Sequence, residues 1–129
     1  MILLDTHIWV WWVNESNQFS QQIADLIDEN VENSIGISII SCWEIAKLVE
    51  NNRLELTHPV EQWLNSALNY PGVVLLDLTP RIVVESTQLP DEFHKDPADQ
   101  LIVATARIHN ISLLTVDAKI LAYQHVLTP

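Results

Sequence analysis

The chain has 129 residues, 48% of them hydrophobic, and a formal net charge of −11. That length and apolar content suit one globular domain spanning residues 1–129 and exclude a disordered segment; no apolar run approaches the ~20 residues needed to cross a bilayer. So acidic a chain is not a general nucleic-acid binder: either nucleic acid is not its partner, or a local device such as a bound divalent cation inverts the sign of charge where the two meet.

Residues 1–5, MILLD, form a short apolar run without alternation and predict a buried strand ending on Asp5. The run has no basic residue before it, so it does not read as a signal peptide. A short helix follows from Thr6 to about Val13. Ser20 is placed to N-cap a helix whose apolar positions are Ile23, Leu26, Ile27 and Val31. The β-branched stretch IGISII at 35–40 predicts a second buried strand. Ser41 then begins a helix, with Ser41 and Glu44 in the spacing of a capping box.

Pro59 opens an amphipathic helix over 59–69, and VVLLDL at 73–78 predicts a third strand. Pro80 begins a helix that ends before Pro90. Asp96-Pro97 opens a longer helix through His109, with aspartate at the cap and proline at the first helical position. ISLLT at 111–115 is a fourth strand, followed at once by Asp117, and YQHVLT near the end has the composition of a short edge strand. Strands without a polar face alternating with helices mean an α/β fold, three-layered, with a central, mostly parallel sheet of four or five strands.

The carboxylates follow this pattern. Asp5 ends the first strand, Glu44 lies in the helix after the second, and Asp117 follows the fourth. In a parallel sheet these points share the carboxyl edge, where such folds place their sites. Asp96 and Asp99 share one face of the helix that leads into the fourth strand. That helix begins at the opposite edge if it is a simple crossover, and at the carboxyl edge if residues 78–97 carry the chain back. Each acid also has a capping role open to it: Asp5, Asp96 and Asp117 as N-caps, Asp99 and Glu44 as first-turn acids. Several carboxylates brought together without a basic neighbour repel one another, and a hard divalent cation with oxygen ligands relieves the conflict.

Four blocks, LLDTHIWVWW, SIISCWEIAKL, HKDPADQLIVATA and LLTVDAKI, resemble in order and spacing the PIN-domain ribonucleases, and among them the VapC toxins of prokaryotic toxin–antitoxin pairs. The resemblance implies an α/β/α fold with a central parallel sheet and a cytoplasmic endoribonuclease dependent on Mg²⁺ or Mn²⁺. It implies Asp5, Glu44, Asp99 and Asp117 as catalytic metal ligands, Thr115 as a supporting hydroxyl, and Asp96 as an auxiliary acid of the DPxD pattern. Gln100 departs from that pattern, in which a basic residue often follows. It further implies RNA as substrate, a cognate antitoxin as partner, and often a homodimer, with no membrane association.

A metal ion held by these acids would supply an activated water for attack on the phosphorus and positive charge for the leaving 3′-oxygen, which would give a 5′-phosphate and a 3′-hydroxyl. Lys47, one turn beyond Glu44, and Lys95, beside Asp96, are candidate phosphate contacts, each with surface lysine as the plain alternative. The five histidines show no two-His metal spacing, and the single cysteine, Cys42, reads as a small core residue consistent with a reducing compartment. Trp9, Trp12 and Trp43 fit buried helix faces; Trp11 lies on another. Two rivals stand beside the nuclease. A haloacid-dehalogenase-like phosphatase also starts with a strand ending in aspartate, but needs a second aspartate where this chain has His7. A catalytically silent PIN-like module would bind RNA or protein without cleaving.

Overall fold

A computed structural model describes residues 1–16, 18 and 20–129. Strand β1 (Ile2–Leu4) is the hub of a parallel sheet. It pairs with β2 (Ile35–Ser38) on one side and β4 (Ser112–Leu114) on the other, and β3 (Val73–Leu76) extends the sheet beyond β2. The order β3-β2-β1-β4 means that the chain travels outward from β1, then returns to its far side. Strand order therefore reverses at β1, and the crevice at its carboxyl end is where this architecture binds ligands.

Strands β1, β2 and β4 are short and apolar because both faces are covered, while β3, at the sheet edge, leaves Val74 and Leu75 exposed. On one face Ile2, Leu4, Ile35, Ile37 and Leu114 pack with Ile8 and Trp9 of α1 (Thr6–Val13), Ile27 of α2 (Gln21–Asn30), Ile45 of α3 (Ile39–Glu50) and Trp63 of α4 (Val60–Leu68). On the other face Leu3, Leu76 and Leu113 pack with Ile102, Val103 and Ala106 of α6 (Pro97–His109) and Ile120 of α7 (Ala118–Leu121). Helix α5 (Pro80–Ser86) lies against α6, joined by Arg107 Nε donating to Glu85 Oε2 at 2.7 Å. The result is the expected three-layer α/β/α arrangement. Among the described residues, no helix is long and apolar enough to cross a membrane.

Three expectations are corrected. The second strand stops at Ser38, and Ile39 and Ile40 form the first turn of α3. Ser38, in extended conformation, caps that helix by accepting from Ile40 N–H, so Ser41 is an interior helical residue and no Ser41–Glu44 capping box forms. A run of β-branched residues cannot by itself tell a strand from a buried helix turn, and here the polar Ser38 decides. Trp43 is 53% exposed rather than core, because it shares an outward stripe of α3 with Ile39, Lys47 and Glu50 while Ser41 and Ile45 face inward. The C-terminal stretch forms no strand among the described residues; one backbone bond, from Leu113 N–H to Leu127 O at 2.8 Å, ties it to β4.

Gly72 turns the chain into β3 with φ of 83°, and a Cβ there would sit 2.6 Å from the Val31 carbonyl oxygen. The substitution Gly72→Ala therefore combines left-handed strain with a backbone clash. We expect a loss of at least about 1 kcal/mol, read as a lower urea midpoint at unchanged m-value.

Candidate active site

Five carboxylates line one pocket of about 280 Å³ at the carboxyl edge of the sheet: Asp5, Glu44, Asp96, Asp99 and Asp117, with Thr6, His7 and Val116. Asp5 is delivered by the end of β1, Glu44 by the second turn of α3, and Asp117 by the turn after β4. Asp96 and Asp99 come from the start of α6, so residues 77–96 do carry the chain back to this edge. The helix opening left ambiguous by the sequence lies beside the strand ends.

Each acid is held by groups of the chain itself. Asp5 accepts from Thr6 N–H at 2.8 Å through one oxygen and from Thr115 Oγ1 at 2.7 Å through the other. The same Thr115 oxygen accepts from Asp117 N–H at 3.0 Å, so one buried hydroxyl joins the first and last acids of the set. Asp117 Oδ1 caps α7 through Lys119 and Ile120 N–H, and Asp96 Oδ1 caps α6 through Asp99 N–H at 3.1 Å.

Glu44 has a different support. Thr6 Oγ1 lies 2.8 Å from Ser41 Oγ and 2.6 Å from Glu44 Oε1. A hydroxyl carries one proton and a carboxylate only accepts, so Thr6 donates to Glu44 and Ser41 supplies its own proton to Thr6. Ser41 and Glu44 stand one turn apart on the same face of α3, which brings both to Thr6. Thr6 and Ser41 are the positioning residues that sequence reading missed. The available signal was a polar pair lodged in apolar helices: both are buried, and buried hydroxyls need partners.

The electrostatics are those of crowded anions. Asp99 is pushed up to about 7, first by burial, then by the charges of Asp96, Asp5, Glu44 and Asp117. Glu44 is raised as well, mainly by burial, against the pull of its Thr6 hydrogen bond. His94 Nε2 lies 2.9 Å from Asp99 Oδ2, yet this buried nitrogen makes no aligned hydrogen bond. Burial and the neighbouring acids set the direction of the Asp99 shift.

All these donors are hard oxygens, the set that suits Mg²⁺ or Mn²⁺. Among the described residues no three side chains are drawn together into a ready coordination shell. The expected oxygen cage is therefore an open, carboxylate-lined pocket. That openness fits magnesium, which keeps several of its waters and takes only one or two protein carboxylates directly.

Of the remaining candidates, Lys47, Lys95 and Cys42 lie outside this pocket. Lys47 pairs with Glu50 at 2.7 Å and lies 5.9 Å from the Trp43 ring centre; Lys95 is exposed beside Asp96 in the chain. His7 lines the pocket and is exposed, with no second aspartate of the phosphatase type in its place. Cys42 is half-buried against the core, and burial raises its thiol pKa, which suits a packing role.

The PIN domain profile matches residues 2–126. The sequence is similar to Ribonuclease VapC22 of Mycobacterium tuberculosis, with 34% identity over 124 residues, 96% of this chain and 92% of that protein. The fold is similar to the crystal structure of VapBC2 from Rickettsia felis bound to a DNA fragment from its promoter: TM-score 0.71, 20% identity, covering 100% of this chain and 98% of that one. It is also similar to DNA-bound VapBC from Salmonella typhimurium, with TM-score 0.70, 17% identity, and coverage of 99% and 96%. A profile spanning nearly all residues and a relative above 30% identity lead to one assignment: the chain belongs to the PIN-domain family, in its VapC group.

Proposed function

We propose that this protein is the ribonuclease toxin of a toxin–antitoxin pair, hydrolysing RNA phosphodiester bonds with Mg²⁺ or Mn²⁺ as cofactor. The observation that carries the reading is the single pocket lined by Asp5, Glu44, Asp96, Asp99 and Asp117, with Asp99 raised to about 7 by burial and its anionic neighbours. A fold that gathers acids so closely spends stability on doing so, which is sensible where a cation is to be bound. The partners are RNA as substrate and an antitoxin protein, in line with the toxin–antitoxin complex from Klebsiella pneumoniae among the similar structures. A cytoplasmic location accords with both.

Asp5, Glu44, Asp99 and Asp117 would hold the metal, with Asp96 as an auxiliary acid. When bound, the metal supplies an activated water and positive charge opposite the leaving 3′-oxygen. The chain's own groups keep the carboxylates aimed. Thr115 orients Asp5 and the Asp117 backbone, and the Ser41–Thr6 relay orients Glu44. Lys47 and Lys95 are proposed phosphate contacts at the margin. In-line hydrolysis leaves a 5′-phosphate and a 3′-hydroxyl. The silent-module alternative is answered by the same test as the enzyme.

In that test, purified wild-type protein cleaves RNA with Mg²⁺ and stops when EDTA is added, while Asp5→Asn does not cleave at all. Asparagine caps helices as well as aspartate, so the variant should keep the wild-type circular dichroism spectrum and melt no lower than wild type. Cleavage at wild-type rate by Asp5→Asn would refute the assignment. Thr6→Val, nearly isosteric, leaves Glu44 without its donor. We expect a ~10–100-fold loss of activity with weaker Mn²⁺ binding in a titration.

The anionic crowding makes a third expectation. In metal-free protein Asp99 holds its proton up to about 7 when folded, against an ordinary value of 3.8. The folded state then binds more protons than the unfolded one across that window, so this group makes stability fall as pH rises from about 4 to 7. Asp99→Asn should melt higher than wild type in EDTA at pH 8, with the gap closing towards pH 4. An equal or lower melting temperature at pH 8 would show that the acids do not strain one another.

A further inference from the structure

Only six basic residues serve a chain of net charge −11. Among the described residues, Lys47 is paired with Glu50 and Arg107 with Glu85, while Arg53 is exposed and forms no ion pair. Its backbone is nonetheless fixed. Helix α3 closes in a Schellman motif: Asn52 is left-handed at φ 58°, its N–H donates to Val49 O, and Arg53 N–H donates to Leu48 O at 2.8 Å. A cation is thereby anchored just past a helix C-terminus, where the partial negative charge favours it.

Arg53 lines a groove of about 280 Å³ with His7, Val10, Trp11, Leu48 and Leu54. His7 also lines the carboxylate pocket, so groove and pocket adjoin at that side chain. Trp11 follows His7 by one turn of α1, and their rings meet edge to face with centroids 6.2 Å apart. The groove thus offers an indole, apolar side chains and an uncompensated guanidinium, and it shares His7 with the acidic pocket. A nucleotide matches that combination: a phosphate for the guanidinium and a base face for the indole. The volume lies near the lower end of small-molecule sites, room for a base rather than a duplex.

We propose that this groove holds a nucleotide of the RNA substrate neighbouring the scissile phosphate, its base against Trp11 and its phosphate on Arg53. This rests on the ribonuclease reading above. A docked protein segment is the weaker occupant, because it would leave Arg53 without an obligatory anion, whereas RNA brings one at every residue and must in any case reach the adjoining pocket.

The test measures binding of a fluorescein-labelled, single-stranded RNA decamer of randomised sequence by fluorescence anisotropy, with Mg²⁺ and over a range of salt. The full chain carries Asp5→Asn so that the RNA stays whole, and wild type is assayed for cleavage in parallel. Arg53→Gln, at an exposed site that does not threaten folding, should weaken binding and flatten the log–log salt slope by about 0.7. Trp11→Ala should raise Kd about tenfold with the slope unchanged, and Trp11→Phe should recover most of the loss. In the otherwise wild-type enzyme the same changes should raise KM more than they lower kcat. If wild type cleaves the decamer while both variants bind and cleave as their parents do, the nucleotide site is refuted. The same holds if they lose only affinity for the antitoxin. If wild type neither binds nor cleaves RNA, the ribonuclease reading falls and takes the nucleotide site with it.

Discussion

Like charges held close together in a half-buried crevice are the constraint around which this structure is arranged. Asp5, Glu44, Asp96, Asp99 and Asp117 come from four separate segments, and no lysine or arginine lines their pocket. In water such groups would move apart; here β1, β4 and the starts of α3 and α6 fix them. Burial adds to the repulsion because it removes the water that would screen each charge. The two groups whose ionisation is displaced upward in the pocket, Asp99 and Glu44, are both half-buried there.

Part of that repulsion is offset by the backbone. Asp5, Asp96 and Asp117 are the N-cap residues of α1, α6 and α7, so each carboxylate accepts from amide N–H groups at a helix start. Capping and chemistry were rival explanations of these acids when read one at a time. In the folded chain they are one arrangement, because an oxygen that satisfies a helix terminus also fixes where the rest of the carboxylate points. Glu44 differs. With Ser38 as the cap of α3, Glu44 lies beyond the first turn and has no capping duty, so its place at the pocket is explained by the site alone. Its aim is set instead by the hydroxyls of Thr6 and Ser41.

The architecture was legible because parallel strands and crossover helices leave a strong apolar rhythm. Residues 2–4, 35–38, 73–76 and 112–114 are strands where short apolar runs predict them, and the acids at their ends follow from the direction of the sheet. What escaped the sequence were features decided by contacts between distant segments. Ile39 and Ile40 have strand propensity, yet the ladder between β2 and β3 ends at the pairing of Ser38 with Leu76, and the helix begins there. Trp43 is apolar enough for a core, but the helix phase set by Ser41 and Ile45 turns it outward. The Thr6–Ser41 pair is separated by 35 positions, and no local pattern announces it. The course of residues 77–96 was undetermined because two helices in one crossover can return the chain to either edge.

The charge balance then bears on how such a molecule could meet RNA. A chain at −11 repels a polyanion at long range, and screening at physiological salt shortens that repulsion to about 8 Å without reversing it. Approach is therefore governed by the few places where the sign is locally inverted. Among the described residues, Arg107 and Lys47 are committed to Glu85 and Glu50, which leaves Arg53, Arg81, Lys95 and Lys119 without an ion pair. A divalent ion in the carboxylate pocket would add the strongest inversion of all, because it would replace mutual repulsion among the acids with a net positive centre. Such a surface favours RNAs that reach the pocket with few phosphates exposed to the remaining acids, and disfavours those that must lie across the body of the protein. On the ribonuclease reading proposed above, net acidity acts as a filter on substrate shape, because a polyanion meets attraction only where the sign of charge is inverted.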